Sequence, residues 1–149
     1  MKAFICRYPK NHITDILLSL FCIFTICLIL QNSDTKNIIY CYSENERIDF
    51  LNINGWVVDE STGEYSEISL PNVIDETFEE YIELQKEQGF DLMPYIGKSV
   101  QKYTYEVLNY PGYENSGGIF ATIFVYSDKI IAADIYSAAI DGFIQGVIS

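Results

Sequence analysis

Hydrophobic residues follow three different spacings along this chain of 149 residues. Residues 16–30 form an almost continuous apolar run, interrupted by serine, threonine and cysteine. From about residue 75 to residue 88 the apolar positions recur with the period of a helix, and from residue 99 onward they alternate with polar positions as in strands. The spacings predict an N-terminal apolar segment followed by a domain of helices and β-strands.

Two helices are predicted in the first half of that domain. Ser43 and Glu46 form an S-x-x-E capping box, which predicts a short helix that ends near Asn54-Gly55. A longer helix is predicted from about Asp75 to Gln88. At helical spacing its apolar face consists of Ile74, Phe78, Tyr81, Ile82 and Gln85, and its opposite face of Glu76, Glu79, Glu80, Glu83 and Glu87.

The strands are predicted from alternation and from the turns between them. The predicted strands cover residues 56–58, 65–70, 99–110, 119–126 and 129–137. A turn is predicted at 59–63, and the last two strands form a hairpin closed at Ser127-Asp128. The tail, 138–149, is predicted to form a short packed turn in which Phe143 and Ile144 are buried.

This order of elements predicts an α+β fold. Two N-terminal helices are expected to pack on an antiparallel β-meander and to cover one face of its sheet. One membrane-spanning signal-anchor helix is expected to precede them.

The apolar run predicts this anchor. Fifteen residues at about 1.5 Å each fall short of a hydrocarbon core of about 30 Å, so residues 13–32 are needed to span it. The alternatives are a cleaved signal peptide, for which the small residues of a cleavage site are poorly placed, and lipidation, for which neither Cys22 nor Cys27 follows a small residue. Because Lys2, Arg7 and Lys10 precede the run, the N-terminus is expected in the cytoplasm.

The predicted organisation therefore has four parts. Residues 1–12 are a cytoplasmic cationic flank, 13–32 the signal anchor, 33–42 a linker and 43–149 an extracytoplasmic α+β domain. The expected location is the cell membrane, with a single pass and the C-terminal domain outside. Cys41 is expected to be a free thiol in the linker.

The N-terminal part of the chain and the domain carry net charges of opposite sign. The chain has nine Lys plus Arg and 21 Asp plus Glu, a formal charge of 9 − 21 = −12. The first 43 residues carry four bases and two acids, so the rest carries 5 − 19 = −14. A domain this acidic is not expected to bind nucleic acid.

The chemistry of the domain is limited by its composition. It contains no histidine and no cysteine after Tyr42, which excludes Ser-His-Asp and zinc-histidine sites and any intramolecular disulfide within it. The acidic face of the longer helix is interpreted as a solvated surface, because nothing matches the spacing of a calcium loop. We expect no metal and no cofactor.

Carboxylates and tyrosines are the remaining candidates. Asp134 lies in the apolar segment 130–136, where burial would raise its pKa, and Asp141 is its natural partner in a carboxylate pair, with Glu106 as a third acid. The alternative is that Asp134 faces solvent or accepts structural hydrogen bonds. Tyr110 and Tyr113 flank the loop at Pro111-Gly112 and are candidates for binding a peptide or glycan. Tyr103 and Tyr105 are interpreted as structural strand residues.

Four strings of the sequence resemble an uncharacterised bacterial family, DUF4830. They are NGWVV at 54–58, ELQKEQGFDL at 83–92, YTYEVLNYPGY at 103–113 and DGF at 141–143. The resemblance covers about Glu44 to Phe143 and implies a bacterial protein, mostly of Firmicutes, whose domain is the extracytoplasmic part of a small anchored protein or lipoprotein. It implies no activity. The chain has Ser127-Asp128-Lys129 where a D-G turn is expected, and no lipobox.

The sequence favours a membrane-tethered, non-catalytic binding or sensing module. Its expected partner is an envelope protein or a glycan, contacted through Tyr110 and Tyr113. The alternative is a hydrolase of envelope polymers that uses Asp134 and Asp141 as paired carboxylates.

Overall fold

The computed structural model describes residues 19–21, 25 and 38–148. The chain divides into two compact units, Met1–Thr35 and Lys36–Ser149. In the first unit residues 19–21 and 25 are helical, and the remainder of the predicted anchor and its flank lies outside the described residues. Within the described part of the chain, no helix combines the length and the apolar character needed to cross a membrane.

The second unit is an α+β domain. A 3-10 turn at Met93–Tyr95 precedes its third strand. The elements are β1 (Ile39–Tyr40), α1 (Glu44–Ile53), β2 (Val58–Ser69), α2 (Glu76–Glu87), β3 (Ser99–Val107), β4 (Ile119–Tyr126), β5 (Lys129–Ser137) and β6 (Ile144–Gly146).

The strands form one antiparallel sheet in the order β1-β5-β4-β3-β2, with β6 also paired to β5. Since β2 to β5 are neighbours in sequence order, the predicted meander is confirmed. The β4–β5 hairpin closes at Ser127-Asp128 as predicted. Both turn residues have positive φ, 48° and 61°, as a type I′ turn requires.

Both predicted helices are confirmed, and so is the capping box of α1. The Ser43 side chain accepts a hydrogen bond from Glu46 N, and the Glu46 side chain accepts one from Ser43 N. Asp75 caps α2 by accepting a hydrogen bond from Phe78 N at 2.8 Å. These bonds satisfy N–H groups that the first turn of a helix leaves without a partner.

The described end of the predicted linker belongs to the folded domain. Ile39 and Tyr40 pair with Ile130 and Lys129 of β5, inside the segment interpreted as linker. Cys41 is a free thiol as predicted, but its side chain is buried in the core and its backbone N–H donates to Asp128 O at 2.7 Å, so it does not lie in a linker. The folded domain therefore includes β1, before residue 43.

The predicted turn at 59–63 is also wrong, because β2 is a single strand with a bulge there. Between the pairs Asp59–Glu106 and Glu64–Thr104, β2 advances five residues while β3 advances two, which leaves 5 − 2 = 3 extra residues in β2. An odd number of extra residues exchanges the two faces of a strand. Val58 consequently faces one side of the sheet and Ile68 the other.

The two helices contribute to different faces, contrary to the expectation that both cover one. Residues that alternate along β4 separate into two hydrophobic clusters. The first contains Ile48, Phe50 and Leu51 of α1 with Ala121, Ile123 and Val125 of β4. The second contains Tyr81 and Ile82 of α2 with Phe124 and Tyr126 of β4.

Glutamine side chains from α2 and its C-cap complete the edge of β5 between β1 and β6. The Gln85 amide donates to Ala133 O and accepts from Ala133 N, at 3.1 and 2.9 Å. Gln88 Oε1 accepts from Val147 N and Ile148 N, at 2.7 and 3.0 Å, and its Nε2 donates to Ala133 O at 3.0 Å. These buried amides take the place of a strand and connect α2 to the C-terminal segment.

The tail differs from the predicted packed turn because it contains a strand. β6 pairs with β5 from Tyr136–Ile144 to Asp134–Gly146. Ile144, predicted to be buried, is 52% exposed, Phe143 is partly buried, and Val147 is buried instead.

Candidate functional site

Asp134 is buried on the face of the sheet that carries α2. It is 3% exposed and accepts a hydrogen bond from Tyr81 Oη at 2.7 Å and another from the Thr122 hydroxyl. Burial raises the pKa of its carboxyl to about 6, against the lowering effect of these two hydrogen bonds and of Lys102. The rise in pKa comes from burial alone, and the two hydrogen bonds satisfy the buried carboxyl group as structural contacts.

Asp141 does not join Asp134 in a carboxylate pair. It is exposed in the turn that connects β5 to β6, after Ser137, the last residue of β5. Asp134 lies three residues before Ser137, which is about 10 Å along the strand. The two carboxyl groups of a glycosidase lie roughly 5–9.5 Å apart, on either side of a bound substrate. Asp134 instead faces α2, where Tyr81 donates a hydrogen bond to it.

Tyr110 lies at the centre of an aromatic cluster. Its ring centroid is 5.9 Å from that of Trp56, 4.9 Å from Phe143 and 6.0 Å from Tyr113. Its hydroxyl hydrogen-bonds Gln145 Oε1 at 3.1 Å. Tyr110 therefore supports the packing between the loop and the C-terminal segment, which makes its role structural in large part.

Tyr113 presents the exposed ring of this cluster, with 51% of its surface accessible. The loop that carries it is closed by Tyr113 N donating to Tyr110 O at 3.0 Å and by Asn115 N donating to Leu108 O at 3.1 Å. Gly112 and Asn115 adopt positive φ in that loop. Of the two predicted binding tyrosines, Tyr113 is thus the accessible one.

Tyr103 and Tyr105 have structural partners, as predicted. Arg47 Nε donates to Tyr105 Oη at 3.0 Å, and the guanidinium carbon lies 3.7 Å from the centroid of the Tyr103 ring. Tyr105 is buried, and burial raises the pKa of its phenol. These contacts fix α1 over the sheet.

The acidic face of α2 stays open to solvent. Its glutamates are exposed, and the ion pair of Lys86 with Glu83, at 3.2 Å, is on the surface, where such pairs contribute little. Among the described residues, no group of three or more His, Cys, Asp or Glu side chains could hold a metal ion.

A pocket of about 510 Å³, not predicted from the sequence, lies beside the bulge of β2. Its rim comes from Ser61 to Glu64 and its floor from β3, β4 and β5. The floor residues are Thr104, Glu106, Phe120 and Tyr136. The pocket was missed because residues 59–63 have the composition of an ordinary turn, so nothing local indicated that they fold over the sheet.

The family model described as "Domain of unknown function (DUF4830)" matches residues 50–135. The chain belongs to this family. The match begins within α1 and ends within β5. It contains Asp134, Tyr110, Tyr113 and most of the pocket, whereas Tyr136 and Asp141 lie beyond it. Neither the curated proteins nor the solved structures contain a match to the chain.

Proposed function

We propose that this DUF4830 protein is a non-catalytic binding or sensing module held at the cell membrane with its domain outside. The observation that carries the proposal is the half-exposed ring of Tyr113, mounted on the cluster of Trp56, Tyr110 and Phe143. The ligand is an envelope protein or a glycan of the bacterial, Firmicutes-type cell envelope that the family resemblance implies.

Tyr113 has the properties of a binding anchor because its neighbours already hold it in place. An aromatic ring buries a large area and loses little side-chain entropy when it is fixed before binding. Tyr110 and the loop hydrogen bonds supply that fixation in the free protein. The hydroxyl of Tyr113 can add a hydrogen bond to a peptide or a sugar.

The hydrolase with paired carboxylates is the weaker alternative. A general acid must reach the bond that it protonates, and Asp134 is covered by Tyr81 and Thr122. Asp141 is exposed about 10 Å further along the strand direction.

The tether rests on the sequence of the N-terminal segment. Residues 13–32 follow a cationic flank in the arrangement of a signal anchor. Carbonate extraction of membranes should leave the chain in the pellet, and protease added to intact protoplasts should cleave the domain. Release by carbonate, or protection of the domain from protease, would contradict this part of the proposal.

The binding surface is tested by capture of envelope material on the immobilised full-length chain. Tyr113→Ala should remove a component that the wild type retains, whereas Tyr65→Ala should retain it, since Tyr65 is similarly exposed, 58%, but lies on β2. Both variants should unfold at the wild-type urea concentration. Capture that is equal for all three proteins would exclude Tyr113 as the contact.

A further inference from the structure

The floor of the pocket beside the β2 bulge combines a carboxylate with two stacked rings. Glu106, Phe120 and Tyr136 lie side by side on β3, β4 and β5, because Glu106 pairs with Phe120 and Phe120 with Tyr136. The Phe120 and Tyr136 rings are stacked with their centroids 5.5 Å apart. The volume of about 510 Å³ is within the range of sites for small molecules.

The rim of the pocket is held in one conformation by hydrogen bonds within the bulge. Asp59 Oδ1 accepts from Ser61 N at 2.9 Å, and Thr62 Oγ1 donates to Asp59 O at 2.7 Å. Glu106 N donates to Thr62 Oγ1 at 2.9 Å, which replaces a bond of the sheet ladder that the bulge removes. The rim is therefore preorganised, with Glu64 at its end.

The charge of the pocket selects for a cation. Glu64 and Glu106 both line it, and among the described residues neither forms an ion pair within 4.0 Å, although Lys102 lies on the same face of β3 and acts on the neighbouring Asp134. The pKa of Tyr136 is raised by burial and further by Asp134 and Glu64, so this phenol remains neutral at physiological pH. The faces of its ring and of Phe120 attract cations as well.

A hard metal ion fits this lining poorly. Such an ion needs several oxygen ligands around one point, and no described group of three or more acidic, histidine or cysteine side chains offers them. An organic cation uses carboxylates and aromatic faces together, and an alkyl chain on it can cover the ring pair.

We propose that this pocket binds a small organic cation, a protonated primary amine whose ammonium group lies at Glu64 and Glu106 and whose carbon chain lies on the Phe120 and Tyr136 rings. The residues that line this pocket are not those of the Tyr113 surface, so either proposal can fail alone.

Calorimetric titration of the full-length chain with butylammonium tests the proposal, with butanol as the neutral probe of the same shape. Butylammonium should bind and butanol should not. Glu64→Gln, an exposed position that leaves the core intact, and Glu106→Gln should each weaken binding about fivefold, the upper range for a solvent-accessible ion pair.

The matched control is Glu80→Gln, which removes the same charge from the exposed face of α2. It should leave the affinity within about 1.5-fold, since a distant exposed charge is screened. Tyr136→Leu, which keeps an apolar floor but removes the aromatic face, should weaken butylammonium binding. No binding of butylammonium, equal binding of butanol, equal loss in Glu80→Gln and Glu106→Gln, or displacement of the amine by equimolar Ca²⁺ would each overturn the proposal.

Discussion

Replacement of Asp134 by asparagine measures the cost of holding a carboxylate under α2. Asparagine keeps the shape, can accept the hydrogen bond of Tyr81 and can donate to the Thr122 hydroxyl, but it carries no charge. The folded pKa of Asp134, about 6, lies about two units above the value of an unfolded aspartate, about 3.9. Two units correspond to about 3 kcal/mol at 1.36 kcal/mol each.

The direction of this effect follows from proton binding. Between about pH 4 and pH 6 the folded protein keeps a proton on Asp134 that the unfolded chain has lost, so this residue makes the wild type less stable as the pH rises. Below about pH 4 both states are protonated and the penalty disappears. Relative to the Asp134→Asn variant, the wild type should therefore lose about 3 kcal/mol of unfolding free energy between about pH 3.5 and pH 8.

Urea unfolding of the full-length chain measures this difference, with the fluorescence of Trp56 as the signal. Trp56 is the single tryptophan and stacks on Tyr110, so unfolding changes its surroundings. Asp141→Asn is the control, since Asp141 is exposed and its replacement should give no comparable dependence on pH. A difference between the wild type and Asp134→Asn that stays constant with pH, or that changes in the opposite direction, would refute the reasoning.

Three further predictions concern parts of the fold that have no role in the proposed binding. Ser43→Ala should lower the unfolding free energy by about 1 kcal/mol in urea, because it removes the capping box of α1, and an unchanged midpoint would contradict this role. Gln88→Ala should lower it by about 2–4 kcal/mol and expose the amides of Val147 and Ile148 to hydrogen exchange; protection equal to that of the wild type would show that these amides have another partner. Iodoacetamide should alkylate Cys41 only after unfolding, because burial raises the pKa of its thiol, and mass spectrometry of the native protein should find that position unmodified.

The parts of the fold that were predicted depend on neighbouring residues. Ser43 and Glu46 lie three positions apart, so the start of α1 is visible in the sequence. The β4–β5 hairpin is equally local, since two adjoining alternating segments leave room for only a two-residue turn. The burial of Phe78 and Gln85 on one face of α2 follows from helical spacing.

The bulge in β2 could not be predicted because a turn and a bulge begin with the same local bonds. Asp59 accepts hydrogen bonds from Ser61 as it would in a turn. Only the pairing of Glu64 with Thr104, 40 positions further along the chain, shows that the strand continues. The face exchange, the placement of the helices on opposite faces and the pocket all depend on that register.

The candidate site was predicted only in part for the same reason. The apolar sequence around Asp134 indicated a raised pKa, but its partner Tyr81 is 53 positions away and could not be assigned. The aromatic spacing at Tyr110 and Tyr113 indicated a surface, but which ring is accessible depends on Trp56 and Phe143, distant in sequence. Side-chain chemistry was therefore visible in the sequence, whereas accessibility was not.

Photo-cross-linking on intact cells tests the proposed binding function most directly. A benzoylphenylalanine at position 113 keeps an aromatic ring on the platform formed by Tyr110, and the same residue at position 65 probes a similarly exposed site on β2. We expect a discrete adduct with one envelope protein or glycan from position 113 that is absent from position 65. The same adducts from both positions, or none from position 113 in a folded and membrane-associated chain, would contradict the account.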